Sequence, residues 1–284
     1  MPYVIPISDA ELLFPDYTFI TALTPGEQKA AFHVKDADGR DLCLKIIAPD
    51  FSIDRLEREI IALQSLSHPN VVNLIEYTFS TKRGQPRHYI IEEFIEGTDL
   101  SDYLIAGQSL SEDRTLSIFI PLVEGLSALG RSRIVHRDLK PSNIRIRSDE
   151  TPVIIDFGLA RLLNLPDLTA TAEGAAIGTP KYFAPEQFAG TKHDIDHRTD
   201  LFALGILLYM ALVGNHPFFQ TGMSYQDLHD AVCNSQDHLS VDEYIRLSPQ
   251  WKLLIGRLLE KHRSRRPSSA SQVAQILQKI RGDS

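Results

Sequence analysis

The stretch that decides the fold is His136-Arg137-Asp138-Leu139-Lys140-Pro141-Ser142-Asn143, followed thirteen residues after Asn143 by Asp156-Phe157-Gly158. Between the two segments Ile144 and Ile146 alternate with polar positions, and Val153-Ile154-Ile155 form a short apolar run. That is the pattern of a hairpin whose second strand is buried, and it brings both loops to the same edge of a sheet. Either segment alone is weak, because turns commonly carry Asp and Gly for conformational reasons. Both in this order, with Lys140 and Asn143 at fixed offsets from Asp138, point to a chemical site rather than to turn punctuation.

Working outward, the periodicity changes along the chain. Up to about Phe94 short apolar runs alternate with turn signals, as in Lys35-Asp36-Ala37-Asp38-Gly39-Arg40 leading into Leu42-Cys43-Leu44-Lys45-Ile46-Ile47. One helix interrupts this sheet-rich part: after Asp54, an N-cap candidate, Leu56, Ile60 and Leu63 recur on one face and place Glu59 beside it. Beyond Gly97 helical patterns take over, with Leu116, Phe119, Leu122, Val123 and Leu126, then the apolar Leu201 to Val213. The last helix carries Val273, Ile276, Leu277 and Ile280 on one side and a capping box at Ser269 and Gln272. A small sheet-rich lobe before a large helical one is expected.

The composition permits this. A chain of 284 residues is long enough for one large domain or two lobes around a cleft, and its 43% hydrophobic and 23% charged residues are ordinary for a packed globular protein. A net charge of -8 argues against a nucleic-acid binder and leans weakly toward basic partners. Cys43 and Cys233, far apart, support neither a disulfide framework nor a zinc site. The N-terminus lacks the pattern of a secretory signal, and Leu201 to Val213 is shorter than the ~20 residues a membrane span needs. No membrane segment and a cytoplasmic address are therefore expected.

The two opening segments resemble the catalytic loop and metal-binding turn of eukaryotic-type serine/threonine protein kinases. The resemblance runs from about Phe19 to Ile280, leaving a short leader that packs on a lobe. It implies an α+β, bilobal protein-kinase-like fold over 1–284, with a small mostly β N-lobe at about 1–94, a hinge at about 92–97 and a large mostly α C-lobe at about 98–284. It also implies transfer of the γ-phosphoryl group of ATP to Ser/Thr hydroxyls of protein substrates, the chain itself among them. The cofactors are ATP and Mg²⁺, with Mn²⁺ as a possible substitute.

By the same resemblance Asp138 takes or orients the substrate hydroxyl proton, Lys140 meets the transferred phosphoryl group, and Asn143 and Asp156 hold Mg²⁺. Lys45 and Glu59 match the ion pair that positions the α and β phosphates. Gly26, Ala31 and Cys43 fall in the nucleotide-covering region, and the backbone near Glu93 and Ile95 meets the adenine. Gly178-Thr179-Pro180-Lys181-Tyr182-Phe183-Ala184-Pro185-Glu186 resembles the end of an activation segment and implies a protein acceptor, with Thr179 packed near Asp138 and Lys140. Glu186 pairs with Arg266, and Asp200 anchors the catalytic loop from a buried helix start. Arg137 before Asp138 raises a switch in which phosphate on Thr169 or Thr171 orders the loop; a plain polar loop is the alternative reading.

Some positions depart from the family pattern. Only Gly26 of the three expected glycines is kept, with Thr24 and Lys29 at the others, which bears on ATP affinity because a backbone approaching phosphates needs room. Cys43 replaces Ala, Glu92 stands at the gatekeeper position and Arg145 at the apolar floor. A buried charge needs a partner, and the sequence leaves open whether Glu92 meets Lys45 or Arg145. His262-Arg263 replaces the common Asp-Pro of that turn. These departures keep alive a second reading, a pseudokinase scaffold with a weakened pocket. A small-molecule kinase is disfavoured by the Gly178 to Glu186 segment.

Overall fold

The computed structural model describes residues 2–25, 29–48, 60, 63–82, 85–156, 179–189 and 195–283. Chain contacts divide it into two units, one of residues 1–68 and 72–95, the other of 69–71 and 96–284.

The first unit is built on five antiparallel strands: β1 (Thr18–Ala22), β2 (Lys29–Lys35), β3 (Asp41–Ile47), β4 (Leu74–Lys82) and β5 (Gln85–Glu93), in the order β1-β2-β3-β5-β4. The β2–β3 hairpin closes through the Asp36 carboxylate, which accepts from the N–H groups of Asp38 (3.0 Å) and Arg40 (2.9 Å). Gly39 supplies the left-handed residue of the turn at φ 79°. Strand alternation sorts the side chains by face. Ala30, Phe32, Val34, Leu42, Leu44, Ile46 and Ile91 form one buried face. Ala31, Cys43, Lys45, Ile90 and Glu92 share the other, because the register pairs Ala31 with Lys45, Cys43 with Glu92 and Lys45 with Ile90.

The leader forms α1 (Ile7–Leu13), and with it Ala10 and Phe14 join the first of these faces, fully buried or nearly so. Phe14 meets Tyr89 edge to face with centroids 4.9 Å apart. The expected helix after Asp54 is described only at Ile60, Leu63 and Gln64, which are helical, with Ile60 and Leu63 buried. Asp54, Leu56 and Glu59 lie outside the described residues.

The second unit is mainly helical: α2 (Glu112–Arg131), α3 (Pro185–Phe188), α4 (His197–Val213), α5 (Tyr225–Cys233), α6 (Asp242–Ile245), α7 (Pro249–Leu258) and α8 (Ala270–Asp283). The two longest helices begin where the sequence supplies a cap. Ser111 Oγ accepts from Arg114 N–H at 3.2 Å to start α2, and Asp196 accepts from Arg198 N–H at 2.8 Å to start α4. Helix α4 ends at Gly214, whose φ of 82° is the left-handed C-cap conformation that glycine adopts without strain. Nearly every residue of α4 is buried, in keeping with its continuous apolar run. Gly205 lets α7 approach closely: a Cβ there would lie 2.7 Å from Leu258 Cβ.

At α8 the cap differs in detail from expectation. Ser269 Oγ accepts from Gln272 N–H at 3.2 Å, but the Gln272 carboxamide reaches one residue further back, to Ser268 N–H at 2.8 Å. A small sheet of β6 (Thr98–Asp99), β7 (Ile144–Ile146) and β8 (Pro152–Ile154) completes the unit. The expected hairpin is thus present, its second strand one residue earlier than the apolar run suggested. Pro69–Val71 counts with this unit because Asn70 Nδ2 donates to Pro152 O (2.8 Å) and Asn70 O accepts from Ile154 N–H (2.9 Å). Among the described residues no helix is long and apolar enough to cross a membrane.

Candidate active site

The loop from His136 to Asn143 is held from beneath by α4. Asp200, buried in the first turn of that helix, accepts from His136 N–H and Arg137 N–H, each at 2.8 Å. Burial pushes its carboxyl up to about 6, against the pull of those two donors and of the Arg137 charge. It is therefore largely ionised at neutral pH and able to use both oxygens as acceptors. Arg137 sits at φ 65°, a conformation costly for a residue with a Cβ and held here by its neighbours. Its carbonyl accepts from Gln187 Nε2 at 2.9 Å.

His136 locks the loop to the end of β8. Its Nε2 bonds Ile155 O at 3.0 Å, and since a carbonyl can only accept, Nε2 carries the proton. Nδ1 is then the acceptor for Asp138 N–H at 3.3 Å. Ile155 N–H in turn donates to Asn143 O at 2.9 Å. Asn143 Nδ2 donates to Asp138 O (2.8 Å) and Oδ2 (3.1 Å), and Lys140 Nζ donates to Asp138 Oδ2 at 2.9 Å. Three of the predicted residues thus share direct contacts. Asp156 is tied to them through its neighbour Ile155 and adopts φ 60°. Two non-glycine residues in left-handed backbone, Arg137 and Asp156, flank this cluster, as is common where local strain is held for function.

In the sheet unit, Ala31, Cys43 and Lys45 are buried on one sheet face. Lys45 Nζ lies 2.5 Å from Glu92 Oε2, so the carboxylate at the gatekeeper position has Lys45 as a partner within its own sheet. Burial pulls the Lys45 pKa down, and the Glu92 carboxylate more than offsets this, leaving it above the usual lysine value. Burial pushes the Cys43 thiol up to about 11. Glu93 N–H donates to Asn73 O at 3.0 Å, and Ile95 is buried at the boundary of the unit.

Arg145, in the second unit, bonds Asp99 Oδ1 at 2.8 Å and the carbonyl of Gly97, so its charge is paired across β6 and β7. Gly26 and Glu59 fall outside the described residues, as do Phe157, Gly158, Thr169 and Thr171, and the side chain of Thr179 is likewise not described.

The segment after Thr179 is pinned from below. Arg266 donates Nη1 to Glu186 Oε1 at 2.7 Å and Nη2 to Oε2 at 2.8 Å. Its other three donors reach Glu260 O, Arg198 O and Lys261 O, so all five guanidinium N–H groups are used. The replaced turn at His262-Arg263 therefore still presents the carbonyls that Arg266 needs. Thr199 Oγ1 adds a bond to Glu186 at 2.9 Å.

Sequence reasoning missed Gln187, Asp99 and the linking role of His136. Gln187 had one available signal: it lies at the third position of a helix opening on Pro185, where its side chain accepts from Ala184 N–H at 3.0 Å. Asp99 gave none, since its partner is 46 residues away.

A family model for the protein kinase domain matches residues 17–279. The serine/threonine-protein kinase pkn2 of Myxococcus xanthus is 33% identical over 253 residues, covering 84% of this chain and 29% of that protein. The serine/threonine-protein kinase drp72 of Corynebacterium efficiens is 30% identical, covering 95% of this chain and 52% of its own length. Serine/threonine-protein kinase PknB of Mycolicibacterium smegmatis is 29% identical, with 82% and 38% covered. The chain spans about half or less of the length of these relatives.

Proposed function

The chain belongs to the protein kinase family, and from that premise we propose that it is an ATP-dependent serine/threonine protein kinase, transferring the γ-phosphoryl group to Ser/Thr hydroxyls of proteins, its own included. The observation that carries the reading is the Asp138 carboxylate, fixed by Lys140 and Asn143 on a loop whose backbone Asp200 holds. A carboxylate so placed orients a substrate hydroxyl and accepts its proton as the new P–O bond forms. Lys140, already 2.9 Å from that carboxylate, puts a positive charge beside it for the phosphoryl oxygens.

The donor set fits a hard divalent cation. Both Asn143 amide protons are directed at Asp138, which leaves Oδ1 as an oxygen donor, and Asp156 supplies carboxylate oxygens. When bound, Mg²⁺ or Mn²⁺ would neutralise triphosphate charge. Lys45 and Glu59 are proposed to position the α and β phosphates, with Gly26, Ala31, Cys43 and the backbone of Glu93 and Ile95 around the nucleotide. The unit boundary between Ile95 and Glu96 supports a hinge at about 92–97. Glu186, Arg266 and Asp200 are proposed as structural supports of the site. Arg137, Thr169, Thr171 and Thr179 stand as regulatory candidates. A cytoplasmic setting is part of the same proposal, to be checked by fractionation of cells that make the chain.

The test is transfer of label from γ-labelled ATP with Mg²⁺ onto the chain and onto a generic basic protein. Labelled Ser or Thr is expected, with Asp138→Asn lowering kcat by about 10²- to 10⁴-fold and Lys45→Met weakening transfer. One observation favours a second reading, a pseudokinase: Lys45 is already paired with Glu92. Nucleotide binding without any labelled Ser or Thr would select it.

A further inference from the structure

We propose that Glu92 is a positioning residue for Lys45, a built-in counter-ion with which the nucleotide phosphates must compete. The functional half of this rests on the kinase reading of Lys45. The strand register sets Glu92 opposite Cys43 and diagonal to Lys45 on one face of the sheet, so the two side chains meet without leaving their strands. Both are almost wholly enclosed, with side chains 9% and 4% exposed, and the contact is 2.5 Å.

A buried ammonium demands a compensating anion, and Glu92 supplies one within the sheet itself. A polyphosphate approaching Lys45 therefore gains less than it would from an uncompensated cation, and it brings its own charge toward a carboxylate. Glu92 thereby sets how tightly nucleotide is held more than how fast phosphoryl leaves, so its removal acts on KM more than on kcat.

Two measurements on the whole chain test this. In the first, MgATP affinity is read by calorimetry for the wild type and for Glu92→Gln, a neutral side chain of similar size. Tightening of about tenfold or more is expected, about 1.4 kcal/mol per decade, with kcat changed far less than KM. Equal or weaker binding by Glu92→Gln, beside measurable binding by the wild type, overturns the proposal alone. Binding by neither protein overturns the kinase reading together with it.

The second measurement needs no nucleotide. Glu92→Gln is expected to lower Tm when Lys45 is present and to raise it in a Lys45→Met background, where the carboxylate has lost its partner. An equal change in both backgrounds would show that the pair is uncoupled and sink the idea. Should Glu92→Gln not fold, the apolar pair Lys45→Met/Glu92→Met replaces it, expected to melt above Lys45→Met; melting at or below it counts against the proposal.

Discussion

Asp200 accepts from two consecutive backbone N–H groups of the loop, and it does so from the first turn of α4. Replacing it by alanine is expected to destabilise the domain by about 2–4 kcal/mol, read by urea denaturation, and to depress transfer because the loop that carries Asp138 loses its floor. Wild-type stability with lost activity would contradict the anchoring role. Cys43 leads to a chemical prediction. A thiol pushed up to about 11 by burial stays protonated at pH 8, so the native chain should resist iodoacetamide at Cys43 and react only after denaturation. The candidate site residues were inferred from the order of Lys45, Asp138, Asn143 and Asp156 along the chain. Their partners were not: Glu92 finds Lys45 through a strand register, and Asp99 finds Arg145 through a three-stranded sheet.

Elements tell a different story about the leader. Ile7–Leu13 is too short to hold a helix by itself, and its stability comes from laying Ala10 and Phe14 on the buried face of the first sheet. Phe14→Ala should therefore cost about 3–5 kcal/mol in chemical denaturation, although it lies before the start of the family match. A loss below about 1 kcal/mol, the range of surface substitutions, would show the leader to be dispensable. The support beneath α3 behaves as a buried ion pair. Arg266→Ala leaves Glu186 enclosed without its counter-charge and is expected to cost about 3–5 kcal/mol. Arg266→Lys should rescue little, because an ammonium cannot reproduce the two-pronged contact and the three carbonyl bonds. Comparative melting of the two variants checks this.

Acid is the lever on the molecule as a whole. His216 accepts at Nδ1 from Phe218 N–H (3.1 Å) and Phe219 N–H (2.9 Å), and its Nε2 is enclosed. Burial, helped by the Lys181 charge, lowers His216 to about 3, and burial with the Lys261 charge lowers His238 to about 4. The unfolded chain takes up these protons near pH 6.5, so the stabilisation is present above that pH and is lost as pH falls toward 4. Each ring contributes at most about 1.4 kcal/mol per pH unit. Asp200 works in the opposite sense between about pH 6 and 3.8, since its folded form takes up a proton first, and it offsets part of the loss. Urea melts at pH 7 and pH 5 should show the decline. His216→Asn, whose side-chain oxygen can receive the same two N–H groups, should flatten the slope; an unchanged slope would remove His216 from the account.

The class of fold was legible in the order of apolar and polar residues, as was the spacing of the candidate site residues. Short apolar runs between turn signals before Phe94, and apolar recurrence at helical spacing after Gly97, mark the segments that must be buried, and the spacing from Asp138 through Asn143 to Asp156 is local enough for one loop and one hairpin to bring together. The pairing of Lys45 with Glu92, of Arg145 with Asp99 and of the leader with the sheet emerged from the folded chain. Each depends on which strands lie side by side and in what register, and a one-residue slip would turn those side chains to the opposite face.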